Sequence, residues 1–430
     1  MLRLTAPKRL RGSITVPGDK SISHRAVLFN AIAEGNARIS GFLDAADPRS
    51  TLACLRALGV RIEHEGETLR VYGRGLRGLC EPADVLDCGN SGTTLRLLAG
   101  LLSGQRFFSV LTGDDSLRSR PQRRIVEPLR ALGAQIDGRE DGDRAPLAIR
   151  GSQLHGGSYD LPIASAQIKS ALLLSCLTAD GPLSLGGRID SRDHTERMLQ
   201  AMGIDLALEA GRLVLYPPAH PVFPYPVSLT VPGDPSSAAF WWVAAAIHPD
   251  AEVTTTDVCL NPTRTGTLDV LQAMGAQIEI HNRRNEGNEP VGDVTVRSSG
   301  LRGTRIDGAL IPRLIDEIPV LAVAAATAYG ETVIADAGEL RVKETDRIAV
   351  VVEQLGAMGA TIEPTADGMI IAGGGELRGA DVDSLGDHRL AMALGIAALV
   401  AEGETAIHNA QAVEVSYPAF WEHLHSLVEA

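Results

Sequence analysis

The chain reads as an α/β protein of two similar domains, each of three strand–helix units. Three observations predict this: a helix exit that recurs along the chain, a longer repeat at half-chain offset, and helices rich in alanine and leucine. At 430 residues the chain is also long for a single core. The helix exit appears as Leu55-Arg56-Ala57-Leu58-Gly59-Val60, Leu129-Arg130-Ala131-Leu132-Gly133-Ala134, Leu199-Gln200-Ala201-Met202-Gly203-Ile204, Leu271-Gln272-Ala273-Met274-Gly275-Ala276 and Leu355-Gly356-Ala357-Met358-Gly359-Ala360. Each glycine suits the left-handed position just past a helix, and each is followed by a short strand-like stretch. A sixth copy lacking the glycine falls on a terminal helix, Phe420–Leu427.

The longer repeat doubles this pattern. Thr15-Val16-Pro17-Gly18-Asp19 returns as Thr230-Val231-Pro232-Gly233-Asp234. The basic segment from Leu117 to Ile125 aligns with Leu340 to Ile348, and Ser165-Ala166-Gln167 aligns with Asp387-His388-Arg389. Equivalent loops of the two domains are therefore expected to face each other across a cleft. The Val-Pro-Gly-Asp segments near 16–20 and 231–234 are candidate hinges.

Composition narrows the function. A net charge of −13 argues against general nucleic-acid binding. No apolar run reaches the length of a membrane span. The five cysteines show no Cys-x-x-Cys spacing, so neither a disulfide framework nor a zinc site is expected, and a reducing cytoplasm is the default. An acidic chain that binds anions must use local cationic clusters. Of its 40 basic residues only Lys8, Lys20, Lys169 and Lys343 are lysines, which makes each a candidate for a compact ammonium.

Four segments carry candidate chemistry. Lys20-Ser21-Ile22-Ser23-His24-Arg25 opens an apolar-periodic helix that Ser21 or Ser23 could cap, leaving backbone N–H groups for an anion. Asn90-Ser91-Gly92-Thr93-Thr94 precedes another apolar helix, with Gly92 permitting close backbone approach. It lacks the lysine and spacing of a Walker loop. Arg118, Arg120, Arg123 and Arg124 stand opposite Arg341, Lys343 and Arg347 in the repeat, and Arg389 adds a further guanidinium. Such forks suit carboxylate and phosphate oxygens, so one or two small polyanionic substrates are expected. Glu344, set among those cations, and Asp316, just before an apolar helix, are candidate acid–base groups. For Glu344 to act as an acid, burial or the substrate must raise its pKa, whereas Asp316 could equally cap the helix.

These motifs, with Arg341-Val342-Lys343-Glu344-Thr345-Asp346-Arg347 the most specific, resemble the signatures of the 5-enolpyruvylshikimate-3-phosphate synthase family, in order along essentially the whole chain. The resemblance implies an inside-out α/β barrel of two domains, each of three βαβαββ-type units. It places residues 20–231 in one domain and 1–19 plus 232–430 in the other. It implies transfer of the enolpyruvyl group of phosphoenolpyruvate to the 5-hydroxyl of shikimate 3-phosphate, by addition and elimination, with no metal or cofactor. A monomer in the cytoplasm is expected.

Carried over by position, shikimate 3-phosphate contacts fall on Lys20, Ser21, Arg25, Ser165, Ala166, Gln167, Ser191, Asp316 and Lys343. Phosphoenolpyruvate contacts fall on Lys20, Gly92, Arg120, Gln167, Arg347 and Arg389. The implied catalytic groups are Glu344 as acid, Asp316 as base and Lys20 at the departing phosphate. The chain departs from the pattern at Val415 and Glu339, where some members have lysine and asparagine, and at Ser191-Arg192-Asp193-His194. The alternatives are the sister transferase acting on UDP-N-acetylglucosamine, or a non-catalytic polyanion-binding protein. Against the first, the loop 112–124 has no cysteine and Ser21 follows Lys20. Against the second, binding alone would not require placed carboxylates.

Overall fold

A computed structural model describes residues 1–218 and 225–429. The described chain falls into two compact units. One comprises Gly18–Val231 with Asn285–Glu289, and the other Met1–Pro17, Pro232–Arg284 and Pro290–Ala430.

In the first unit three four-stranded sheets repeat one topology. Two neighbouring strands run parallel, and the second of them continues into an antiparallel pair. The sheet opening with Gly157–Leu161 shows the pattern. That strand lies parallel to Leu183–Gly187, which pairs antiparallel with Arg212–Leu215 and, beyond it, Leu206–Glu209. The strands Glu34–Ser40 and Phe108–Thr112 take the second place in sheets of the same order, parallel to Leu229–Thr230 and Leu86–Asp87. In the second unit the sheet around Glu331–Ile334 repeats that order again. The other two sheets vary it, one as a three-stranded and one as a five-stranded sheet. This is the βαβαββ unit that the family resemblance implies. Among the described residues the sheets remain separate, and no strand ladder closes on itself.

Helices lie inside and sheets outside. The helices Pro235–Ile247, Ile318–Thr327 and His388–Ala398 pack on one another and are buried almost throughout, as expected for helices apolar on every side. In the first unit Lys20–Ala31, Gly92–Ser103 and Ala166–Cys176 have the same character. Small residues permit the close packing: a Cβ on Gly100 would lie 2.2 Å from the Ala171 carbonyl oxygen of the facing helix. Strands such as Thr68–Arg74 bury alternate residues against this core.

The recurrent helix exit behaves as its sequence predicts. Gly59, Gly133, Gly203, Gly275 and Gly359 all adopt φ between 83° and 97°. The last helix is Phe420–Leu427. The polar stretch 282–292, which suggests an exposed loop, is instead the turn and flanks of a hairpin formed by Gln277–Glu286 and Glu289–Arg297. Its tip belongs to the first unit, where buried Glu289 lies 2.7 Å from His194 Nδ1. Among the described residues no helix is long and apolar enough to cross a membrane.

Candidate active site

The residues singled out in the sequence gather at helix N-termini, where unpaired N–H groups favour anions. Asp19 caps the Lys20–Ala31 helix, accepting from Ile22 N at 2.9 Å. The expectation of a serine cap is thus corrected, because the helix starts at Lys20 and the cap is the residue before it. Ser23 Oγ instead accepts from Leu43 N. The repeated pentapeptide explains the correction, since Asp234 caps the Pro235–Ile247 helix in the same way. Elsewhere Ser91, Ser165, Asp346 and Asp387 are the caps.

In the first unit Lys20 lies 3.1 Å from Asp47 with its side chain about a quarter exposed. Arg25 is buried and three of its donors are engaged inside the protein, by Thr195 Oγ1, Ser170 Oγ and the Ser21 carbonyl. It therefore holds the Ser21 segment in place, and burial pulls its pKa down to about 10. Ser191 is buried, its hydroxyl has no partner among the described residues, and its carbonyl accepts from Lys169 Nζ at 3.1 Å. Lys169 in turn pairs with Glu196 at 2.6 Å.

Gly92, Arg120 and Gln167 are tied together by a residue that sequence reasoning missed, Arg96. Its guanidinium donates to Gln167 Oε1 and, at 3.0 Å, to Gln122 Oε1. Gln122 donates to the Arg120 carbonyl, and Gln167 donates to Thr93 Oγ1. A Cβ on Gly92 would lie 2.8 Å from the Arg96 guanidinium. Arg120 itself is aimed by Asn90, whose side-chain oxygen accepts from it at 2.6 Å. A cation one helical turn beyond Gly92, in the otherwise apolar run Leu95–Leu102, was the available signal for Arg96.

The second unit gathers Asp316, Lys343, Glu344 and Arg347. Arg347, 2% exposed, donates to Glu344 at 2.7 Å and to Asp387 at 2.8 Å, and its NH1 lies 3.7 Å from Asp316. Lys343 Nζ lies 3.6 Å from the same Asp316 oxygen. Burial disfavours the Arg347 charge, but Asp387, Glu344 and Asp316 together hold its pKa above the ordinary value. Asp316 sits in a 3₁₀ turn, and the cap position of the Ile318–Thr327 helix falls on Glu317, so the cap alternative is set aside. Arg389 is also buried, yet its guanidinium makes no hydrogen bond or ion pair with any described residue.

Not every arginine of the aligned basic segments is available to a ligand. Arg118 pairs with Asp115 and the Gly113 carbonyl, and Arg123 with Glu127 and the Glu140 carbonyl. Arg341 pairs with Asp346 and two carbonyls. These three brace their own loops.

The fold and the two residue sets define an α/β protein of repeated units that presents cations and paired carboxylates at helix N-termini. The family described as EPSP synthase (3-phosphoshikimate 1-carboxyvinyltransferase) matches residues 4–424. A 3-phosphoshikimate 1-carboxyvinyltransferase of Herpetosiphon aurantiacus is 74% identical over 98% of both chains. One of Prochlorococcus marinus is 55% identical over 99% of this chain and 97% of its own. The solved EPSP synthase of Acinetobacter baumannii superposes with a TM-score of 0.89 at 43% identity, covering 99% of this chain and 97% of that one. The chain belongs to the EPSP synthase family.

Proposed function

We propose that the chain transfers the enolpyruvyl group of phosphoenolpyruvate to the 5-hydroxyl of shikimate 3-phosphate, releasing phosphate, with the residues above in the following roles. In the addition, Glu344 delivers a proton to the methylene carbon of phosphoenolpyruvate. Positive charge then builds on the adjacent carbon. The 5-hydroxyl oxygen bonds to that carbon and gives its proton to Asp316. In the elimination the bond from that carbon to the phosphate oxygen breaks, with Lys20 assisting the departing phosphate, and a methyl proton returns to the protein. Arg120, Arg347 and Arg389 hold phosphoenolpyruvate with Gly92 and Gln167. Ser21, Arg25, Ser165, Ala166, Gln167, Ser191 and Lys343 hold shikimate 3-phosphate. The reading carries no cofactor and takes a cytoplasmic monomer as the working unit.

The observation that supports it most is the Arg389 guanidinium, which makes no hydrogen bond or ion pair with any described residue, in the same unit as Glu344 and Asp316, the two candidate acid–base carboxylates beside Arg347. A guanidinium whose donors are not engaged by the protein presents its fork to a carboxylate or phosphate. The test is phosphate release from phosphoenolpyruvate with shikimate 3-phosphate and, separately, with UDP-N-acetylglucosamine. Release with the first and none with the second is expected; the reverse would overturn the reading.

Gly92→Ala gives a narrower test. The new methyl would displace the flexible Arg96 tip and loosen its bond to Gln167. The KM for phosphoenolpyruvate should rise roughly tenfold, the scale of one disturbed charged hydrogen bond, with thermal unfolding little changed. An unchanged KM would remove Arg96 from the account.

A further inference from the structure

His24 lies one helical turn beyond Lys20, buried and outside every role given above. Its Nδ1 is 2.7 Å from Thr51 Oγ1, which is 2.7 Å from Thr94 Oγ1, which donates at 2.8 Å to Ser91 Oγ. Ser91 is the cap of the helix that begins at Gly92, and its hydroxyl oxygen also accepts from Thr94 N at 3.1 Å. All four residues are buried.

The hydrogens fix one direction along this chain. A hydroxyl has a single hydrogen, so Thr94, donating to Ser91, must accept from Thr51. Thr51 has then used its own hydrogen and must accept from His24. The imidazole stays neutral, since burial pulls its pKa down to about 3. A neutral ring carries one N–H, and the chain places it on Nδ1. The Nε2 atom is buried with no partner among the described residues, so the ring gains its hydrogen bonding through Nδ1 alone.

We propose that His24 is a positioning residue for the phosphoenolpyruvate site: its Nδ1–H drives a one-way relay through Thr51 and Thr94 that fixes the Ser91 cap and with it the Gly92 loop. The relay joins the helix that presents Lys20 to the helix that presents Gly92. The inference rests on the reading that the Gly92 loop and Arg120 receive phosphoenolpyruvate.

Thr51→Val removes the middle link with almost no change of shape, and His24→Leu removes the source. Both should raise the KM for phosphoenolpyruvate about tenfold, as for the loss of one buried hydrogen bond, and leave the KM for shikimate 3-phosphate unchanged. Turnover at saturation should stay within about threefold of wild type. His24→Asn, which can place an N–H close to the Nδ1 position, should restore the wild-type KM. A purely structural role would lower the active fraction without moving one KM selectively, and that result would overturn the proposal. Should His24→Leu fail to fold, Thr51→Val still decides the matter. Arg120→Ala separates the two failures. If it leaves the KM for phosphoenolpyruvate unchanged, the underlying reading is wrong. If it raises that KM and Thr51→Val does not, the relay is wrong.

Discussion

Glu344→Gln should lower turnover by at least ~10²-fold, the scale of a lost acid–base group, while both substrates still bind. The substitution keeps the shape of the side chain and leaves an oxygen to accept from Arg347 NH2, which in the wild type lies 2.7 Å from the carboxylate. Arg347 also keeps Asp387 and the neighbouring Asp316, so its place in the site survives. What disappears is the only proton the side chain can give to the methylene carbon. Calorimetric titration with shikimate 3-phosphate and phosphoenolpyruvate should give near wild-type affinities, and single-turnover phosphate release should show the loss. Turnover near the wild-type rate would remove Glu344 as the acid. Loss of binding instead of turnover would make it a binding group.

Much of this arrangement was legible in the sequence, for identifiable reasons. The helix exit is a local signal: the residue in the left-handed position follows the helix immediately, and five glycines could be read directly. The six-unit organisation followed from repetition alone. The duplicated Asp19 and Asp234 were visible as a repeat, but their capping role was hidden because it depends on where the helix starts, and serines nearby offered equally good chemistry. Arginine chemistry was harder. Arg118, Arg123 and Arg341 are the same residue type as Arg120 and Arg347 in aligned segments, and only their partners distinguish a brace from a binding group. Those partners include backbone carbonyls, which leave no trace in side-chain identity. Arg96 and the His194–Glu289 contact were missed for a related reason: their meaning lies in partners 71 and 95 residues away.

The largest stability effect should come from Asp387→Asn. Asp387 is fully buried and serves three partners at once. It accepts from Arg347 Nε at 2.8 Å, from Thr345 Oγ1 at 3.2 Å and, as cap of the His388–Ala398 helix, from Arg389 N at 2.8 Å. Asparagine retains an oxygen for the cap but removes the charge that balances a buried guanidinium. Breaking such a pair from one side costs about 3–5 kcal/mol. The pH dependence gives the sign. Burial pushes the Asp387 carboxyl up, but the Arg347 guanidinium more than offsets this and holds it below the ordinary carboxylate range. A carboxylate whose folded pKa is depressed contributes stability above its unfolded pKa and loses it as pH falls through the folded one. Wild-type stability should therefore fall on acidification below about pH 4, and the variant should lack that part of the acid loss. Trp241, Trp242 and Trp421, the only tryptophans, all lie in the unit that contains Asp387, so urea unfolding followed by tryptophan fluorescence reads that unit directly. At pH 7 the variant should unfold at clearly lower urea than wild type, and the gap should narrow toward pH 3. Equal midpoints at pH 7, or a gap that stays constant on acidification, would show that the Arg347 charge is balanced without Asp387.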